Sequence, residues 1–285
     1  LFVIGLLVFG STIGSMDVSM NAQGLAVEKH RKRPVMSLLH GMFSAGAMCG
    51  AALSALVLET FSVGFHLAGA VLTALAVVGL SGMWLLPAEA DRGSAGSRFF
   101  AWPSRATVSL GSLCFLVLMA EGAVLDWSAI QLQEEFSLSA PRAGLGYAMF
   151  SGGMAISRFS GDILRSKFGS VALVRASALL LALGMLAALL ATNATLSIIA
   201  YGLAGLGIGN IAPVLFGGGG RLEPNAPGRG IAAVVAMGYA GFVAGPPFLG
   251  LLGQAVGIAT ALGLIVVAGL IIAAAARLAQ AADIS

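Results

Sequence analysis

Nine stretches of about twenty mostly apolar residues, separated by short polar connections, leave this chain little freedom in what it can become. They fall at roughly 1–26, 35–58, 63–86, 106–127, 142–163, 171–192, 195–216, 229–252 and 255–277. A helix rises about 1.5 Å per residue, so about 20 such residues cross the hydrocarbon layer of a bilayer. Only 9% of the 285 residues are charged, against roughly a quarter in a soluble domain. With 58% hydrophobic residues and a mean hydropathy of +0.97, the solvent for most of the surface has to be lipid. The stretches are too long and too rich in glycine to be strands of a barrel. The expected class is an all-α membrane protein.

The connections alternate in charge. Segments 27–34, 87–105, 158–175 and 217–229, with the C-terminal tail, hold every one of the 15 Lys and Arg residues except Arg142. The positive-inside rule assigns the basic set to the cytoplasm. Leu1 then lies outside and Ser285 inside, which requires an odd number of spans. The longest polar connection, 87–105, separates a three-helix block (1–86) from a six-helix block (106–285). The apolar run at Leu1 has no basic segment before it and does not read as a signal peptide. Cys49 and Cys114 sit alone in apolar runs, which suggests neither a disulfide nor a metal site.

An ionisable group at bilayer depth costs about 2.5–3.5 kcal/mol, so each one needs a reason. Asp17 and Asn21 are four residues apart on one helix face. In an antiparallel hairpin turning near residue 31, His40 returns to the depth of Asn21 and Ser44 to that of Asp17. Together Asp17, Asn21, His40 and Ser44 form one candidate polar wall. Two readings stand: a solute site with Asp17 taking a coupling proton, or polar glue between helices. Glu121, about fifteen residues into its helix and hence in the outer half, is a second candidate proton carrier. Asp126 reads as a solvated helix end and Trp127 as an interfacial belt residue. Asn210 precedes Pro213, which frees a backbone carbonyl; Asn210 either faces the pathway or satisfies that carbonyl. Tyr239 and Gln254 have similar standing.

Three segments resemble the major facilitator superfamily of secondary transporters. The hairpin Gly161-Asp162-Ile163-Leu164-Arg165-Ser166-Lys167-Phe168-Gly169 is similar to the signature between helices 8 and 9 of that family, with Ser166 where an acidic residue is usual. Gly202–Arg221 resembles the tenth helix and Gly238–Gly250 the eleventh. Residues Gly14–Gly46 are similar to helices 4 and 5 of bacterial members near the sugar and fucose permeases. The resemblance implies twelve helices in two halves built from inverted triplets, of which three plus six here correspond to helices 4–12.

It also implies alternating access around a central site, and a cytoplasmic gate. The gate candidates are Arg158, Gly161, Asp162, Arg165, Lys167, Gly169 and Arg175, with Arg158 and Asp162 pairing at i, i+4. The run Glu28-Lys29-His30-Arg31-Lys32-Arg33 reads as a topology determinant in contact with anionic lipid. The expected protein is a monomer in a bacterial inner membrane, with a small-molecule solute and protons as partners and no nucleic acid. Few charges lie at depth, which points to a neutral or zwitterionic solute such as a sugar; drug efflux and a non-transporting sensor or scaffold are the alternatives. There is no G-x-x-x-x-G-K-[ST], H-E-x-x-H or G-x-S-x-G, and Asp162 has no facing carboxylate at depth as an intramembrane protease would need. The chain is expected to be no enzyme and to use no cofactor or metal.

Overall fold

In a computed structural model, residues 2–58, 61–87 and 103–283 are described. Among the described residues there are eleven α-helices and no strand. They are α1 (Phe2–Arg31), α2 (Met36–Leu58), α3 (Val63–Ser81), α4 (Arg105–Phe136), the single turn α5 (Ala140–Ala143), α6 (Leu145–Phe168), α7 (Ser170–Leu189), α8 (Ala194–Ile208), α9 (Ile211–Leu222), α10 (Pro227–Val256) and α11 (Ile258–Ala274). All nine apolar stretches are helical. Six described segments are long and apolar enough to cross a membrane, and α11 with the 3-10 turn Ala276–Ala282 makes a seventh, bent by 60°. Most of the expected connection 87–105 lies outside the described residues, as does the side chain of Cys49.

The helix ends follow local chemistry. Ser62, Ser104 and Asn193 each cap a helix by accepting from the backbone N–H three residues on, which satisfies one of the orphan donors of the first turn. Pro227 opens α10, where its missing N–H costs nothing. The tight α6–α7 and α10–α11 connections turn on Gly169 and Gly257 at φ +80° and +88°, a region that side chains avoid.

Three boundaries differ from the sequence reading. Helix α4 runs nine residues past the expected end at 127, because buried Ser128, Gln131 and Leu132 continue its packing face. Glu121 is therefore halfway along its helix. Asp126 is exposed but lies within the helix rather than at its end. Helix α6 continues past 163 to Phe168, carrying four charged residues in helical geometry. The stretch 195–216 is two helices, broken at Gly209–Asn210.

Residues 105–283 form one block in which α4 lies along α10, α6 and α7 pack on α8, and α11 packs on α7. Small residues set these approaches. A methyl group at Gly153 would overlap the carbonyl of Gly202, one at Gly205 the carbonyl of Phe150, and one at Gly241 the carbonyl of Phe115. Close backbone contact of this kind is how helices gain dispersion energy in lipid, where burial from water offers none.

The block of α1–α3 joins differently. It meets the larger block through the end that carries Arg31–Pro34. There Asn21, Leu25, Ala26 and Glu28 of α1 and Met36 and Ser37 of α2 are buried, while the N-terminal half of α1 and Met42 and Phe43 of α2 are exposed. Helix α3 buries nothing. Gln23 ties α1 to the end of the α3 segment by exchanging hydrogen bonds with the Leu86 backbone at 3.2 and 3.4 Å.

Candidate functional site

Between the two blocks lies a cavity of about 310 Å³. Its polar lining is Asp17 from α1, His40 from α2, Glu121 from α4, Arg158 from α6 and Tyr239 from α10; Phe43, Phe216, Phe242 and Leu118 form apolar walls. Of the candidates from the sequence, Asp17, His40, Glu121 and Tyr239 thus meet in one place. Asp17 accepts from Tyr239 Oη at 3.1 Å and from Asn21 Nδ2 at 3.1 Å. The Asn21 carbonyl oxygen lies 3.1 Å from His40 Nε2, as matched helix depths require. Asn21 is buried behind Asp17 and orients it. Ser44 does not reach Asp17.

Ser44 is instead a partner of Arg158, which the sequence reading placed in the gate. Arg158 Nη1 donates to Ser44 Oγ at 2.8 Å, Nε donates to the Gly209 carbonyl at 3.3 Å, and Nη2 is 4.0 Å from Glu121 Oε2. The expected Arg158–Asp162 pair does not form. Helix α6 turns Arg158 inward at cavity depth, where Glu121 offers a charge, and leaves Asp162 to another task. So a cation does lie at depth, against the expectation of few charges there.

The Gly209 carbonyl is the one that Pro213 frees, four residues on, because proline has no N–H. Arg158 satisfies it. Asn210 does not: its Nδ2 donates to Ser157 Oγ at 2.7 Å, while its Oδ1 is buried with no partner. Asn210 therefore stands at the α8–α9 break, beside the cavity rather than on its wall.

A second constellation closes the basic end, and its centre is Glu28. This carboxylate is fully buried. Its Oε1 accepts from Arg165 Nη1 at 3.0 Å and from the Val35 and Met36 N–H groups at 2.9 and 3.2 Å; its Oε2 accepts from Arg221 Nη2 at 2.6 Å. Glu28 is thus more than a topology determinant. Asp162 accepts from the Ser37 and Leu38 N–H groups at 3.1 and 2.7 Å, capping the positive end of α2. Gly161 lets the α6 backbone approach, since a Cβ there would strike Asn210 and Ser37.

Arg165 also donates to Ser170 Oγ at 3.0 Å and to the Ala282 carbonyl. The remaining gate candidates lie elsewhere. Arg175 donates to the Ala273 carbonyl at 3.3 Å at the end of α11, Lys167 sits 5.2 Å over the Phe168 ring, and Gly169 makes the hairpin. The sequence offered one clue to Glu28: it is the lone acid in a basic run.

Trp127, expected at the interface, has partners on another helix. Its Nε1 donates to the Pro246 carbonyl at 2.9 Å, and its ring packs on Gly250, pinning α4 to α10. Among the described residues, no group of His, Cys, Asp and Glu is placed to hold a metal ion.

Comparison with known proteins places this geometry. No protein-family model matches the chain. It is 35% identical over 264 residues to an MFS-type transporter of Yersinia pestis, covering 90% of this chain and 67% of that one. It is 31% identical to the membrane protein MosC of Rhizobium meliloti, covering 92% and 64%, and 33% identical to the transporter y4wD of Sinorhizobium fredii, covering 90% and 68%. The chain thus spans about two thirds of the length of these relatives. Among solved structures, the MFS transporter FucP in its outward conformation shares the fold with a TM-score of 0.77 at 20% identity, over 98% of this chain and 76% of that one. A variant of the E. coli fucose:proton symporter FucP superposes with a TM-score of 0.56 at 21% identity, over 62% and 43%. The chain belongs to the major facilitator superfamily of membrane transporters.

Proposed function

We propose that the chain carries the solute pathway of a proton-coupled secondary transporter for a small polar solute, sugar-like in character. The observation that carries this reading is the central cavity: carboxylates on α1 and α4 and one guanidinium line it, between two helix blocks whose other junction is ionic. Asp17 and Tyr239 offer a solute hydroxyl an acceptor and a donor, and the aromatic walls offer ring faces. Glu121, whose one ion-pair partner among the described residues is Arg158 at 4.0 Å, is the proton carrier. Glu28, Arg165, Arg221 and Asp162 form the gate, closed here. We place the basic end, the segment 88–102 and the C-terminus in the cytoplasm, in a bacterial inner membrane, on the charge alternation. The two blocks, 1–86 and 106–285, are the units that rock. The protein has no enzymatic role in this reading.

In proteoliposomes, Glu121→Gln should abolish uptake driven by a proton gradient and spare solute counterflow. Accumulation at the wild-type level would remove Glu121 from coupling. One observation favours a second reading, efflux of lipophilic cations: two carboxylates oppose one guanidinium in a cavity walled by phenylalanine, with Met16 and Met20 at its edge. Cations are attracted to aromatic faces. Thermal-shift screening separates the readings. Stabilisation by L-fucose or a related sugar supports the first, and stabilisation by tetraphenylphosphonium alone supports the second.

A further inference from the structure

The α8–α9 break lies between the cavity and the gate. At its upper end Arg158 donates to the Gly209 carbonyl while its Nη atoms reach Ser44 and Glu121. Twelve residues of α9 follow, about 18 Å of helix. Phe216, on the way, lines the cavity, and Arg221, at the far end, holds Glu28. The break itself is under-bonded. Pro213 supplies no N–H to Gly209, and Asn210 Oδ1 is buried without a partner. One side chain, Arg158, therefore holds both a cavity wall and the hinge of a rod whose tip is part of the gate.

We infer that Arg158 is a positioning residue that transmits the state of the cavity to the gate, with α9 as the lever. When a solute or a change at Glu121 draws the guanidinium into the cavity, the Gly209 carbonyl loses its donor. The break then re-forms at a different angle, and Arg221 is carried off Glu28. This inference rests on the gate assignment proposed above.

The test needs no known solute. Ser37 is fully buried between α2 and α6, so Ser37→Cys, with Cys49 and Cys114 replaced by Ala, reports opening by its labelling rate with a hydrophilic maleimide in lipid nanodiscs. Arg158→Lys removes the bond to Gly209 and keeps the charge. Pro213→Ala restores a backbone N–H for Gly209 and makes Arg158 redundant there. Arg158→Lys should raise labelling about fivefold or more, the lower range of coupling between sites; Pro213→Ala should label at the wild-type rate, and added to Arg158→Lys it should return labelling to that rate.

Labelling in the double variant as fast as in Arg158→Lys alone would overturn the lever. So would wild-type labelling in Arg158→Lys when Glu28→Gln, which opens the gate directly, labels fast. If Glu28→Gln also labels at the wild-type rate, the gate assignment itself fails. Pro213→Ala adds a helix hydrogen bond, so its thermal midpoint should match or exceed wild type. Fast labelling of Pro213→Ala at such a midpoint would be opening rather than unfolding and would also overturn the lever, and a lowered midpoint would contradict the proposed bonding at the break.

Discussion

Glu28→Ala is the sharpest test of how the two blocks are held. The substitution removes four accepted hydrogen bonds at once and leaves two guanidiniums, Arg165 and Arg221, beside an apolar methyl group. Breaking a buried pair by deleting one partner costs about 3–5 kcal/mol, because the remaining charge stays desolvated. Arg165 retains Ser170 and the Ala282 carbonyl, and Arg221 is slightly exposed, so both can relax and the lower half of that range is expected. Glu28→Gln keeps one acceptor for Val35 and Met36 and should lose about 1.5–3 kcal/mol, the worth of a hydrogen bond to a charged group. For a chain of this size each kcal/mol moves the midpoint by roughly 2–4 °C. Thermal unfolding in one detergent should therefore rank wild type above Glu28→Gln and Glu28→Gln above Glu28→Ala. Equal midpoints for all three would show that the cluster contributes no net stability and that the blocks are held by their apolar contacts.

Three more outcomes follow from single contacts. Gly161→Ala places a methyl group against Asn210 and Ser37 and should cost about 1–3 kcal/mol by overpacking; an unchanged midpoint would deny the close approach of α6 to the α8–α9 break. Trp127→Phe keeps the ring and loses the bond to the Pro246 carbonyl, worth about 1 kcal/mol, so its midpoint should fall by a few degrees and Trp127→Ala should fall further. Burial disfavours the Glu223 anion, but hydrogen bonds from Ser104, Arg229 and Thr107 outweigh it and hold the carboxyl below its ordinary range. Its stabilising effect is full above the ordinary carboxylate range and disappears as pH falls through the lowered folded value. The midpoint gap between wild type and Glu223→Gln should therefore close in acid, and a gap that widens there would reverse the assignment.

Much of the architecture was legible because its signals are local. The apolar runs fix helices, and the basic connections pair them into hairpins. The Asn21–His40 contact followed from rise per residue alone. What stayed hidden depends on which way a side chain turns across a boundary between elements. Arg158 and Asp162 are ideally spaced to pair on one helix, and nothing in their spacing reveals that Glu121 and the N-terminus of α2 are stronger attractions for each. Glu28 read as part of a topology-setting run because its partners, Arg165 and Arg221, are far away in sequence. The Trp127 contact with α10 stayed hidden because its acceptor, the Pro246 carbonyl, is 119 residues away. Pro213 did announce a free carbonyl, but its donor comes from another helix.

The different seams of the molecule have a consequence for motion. Where glycine lets backbone touch backbone, as between α6 and α8, separation would expose bare carbonyls and helix surface with nothing to replace the lost contact. Where carboxylate meets guanidinium, as at Glu28, water can hydrate each partner once they part, so the open arrangement is nearly as comfortable as the closed one. A sliding or rocking machine needs both kinds of joint: welds that never wet and hinges indifferent to wetting. The placement of glycine and charge along this chain therefore marks out where the protein can come apart and where it must travel as one piece.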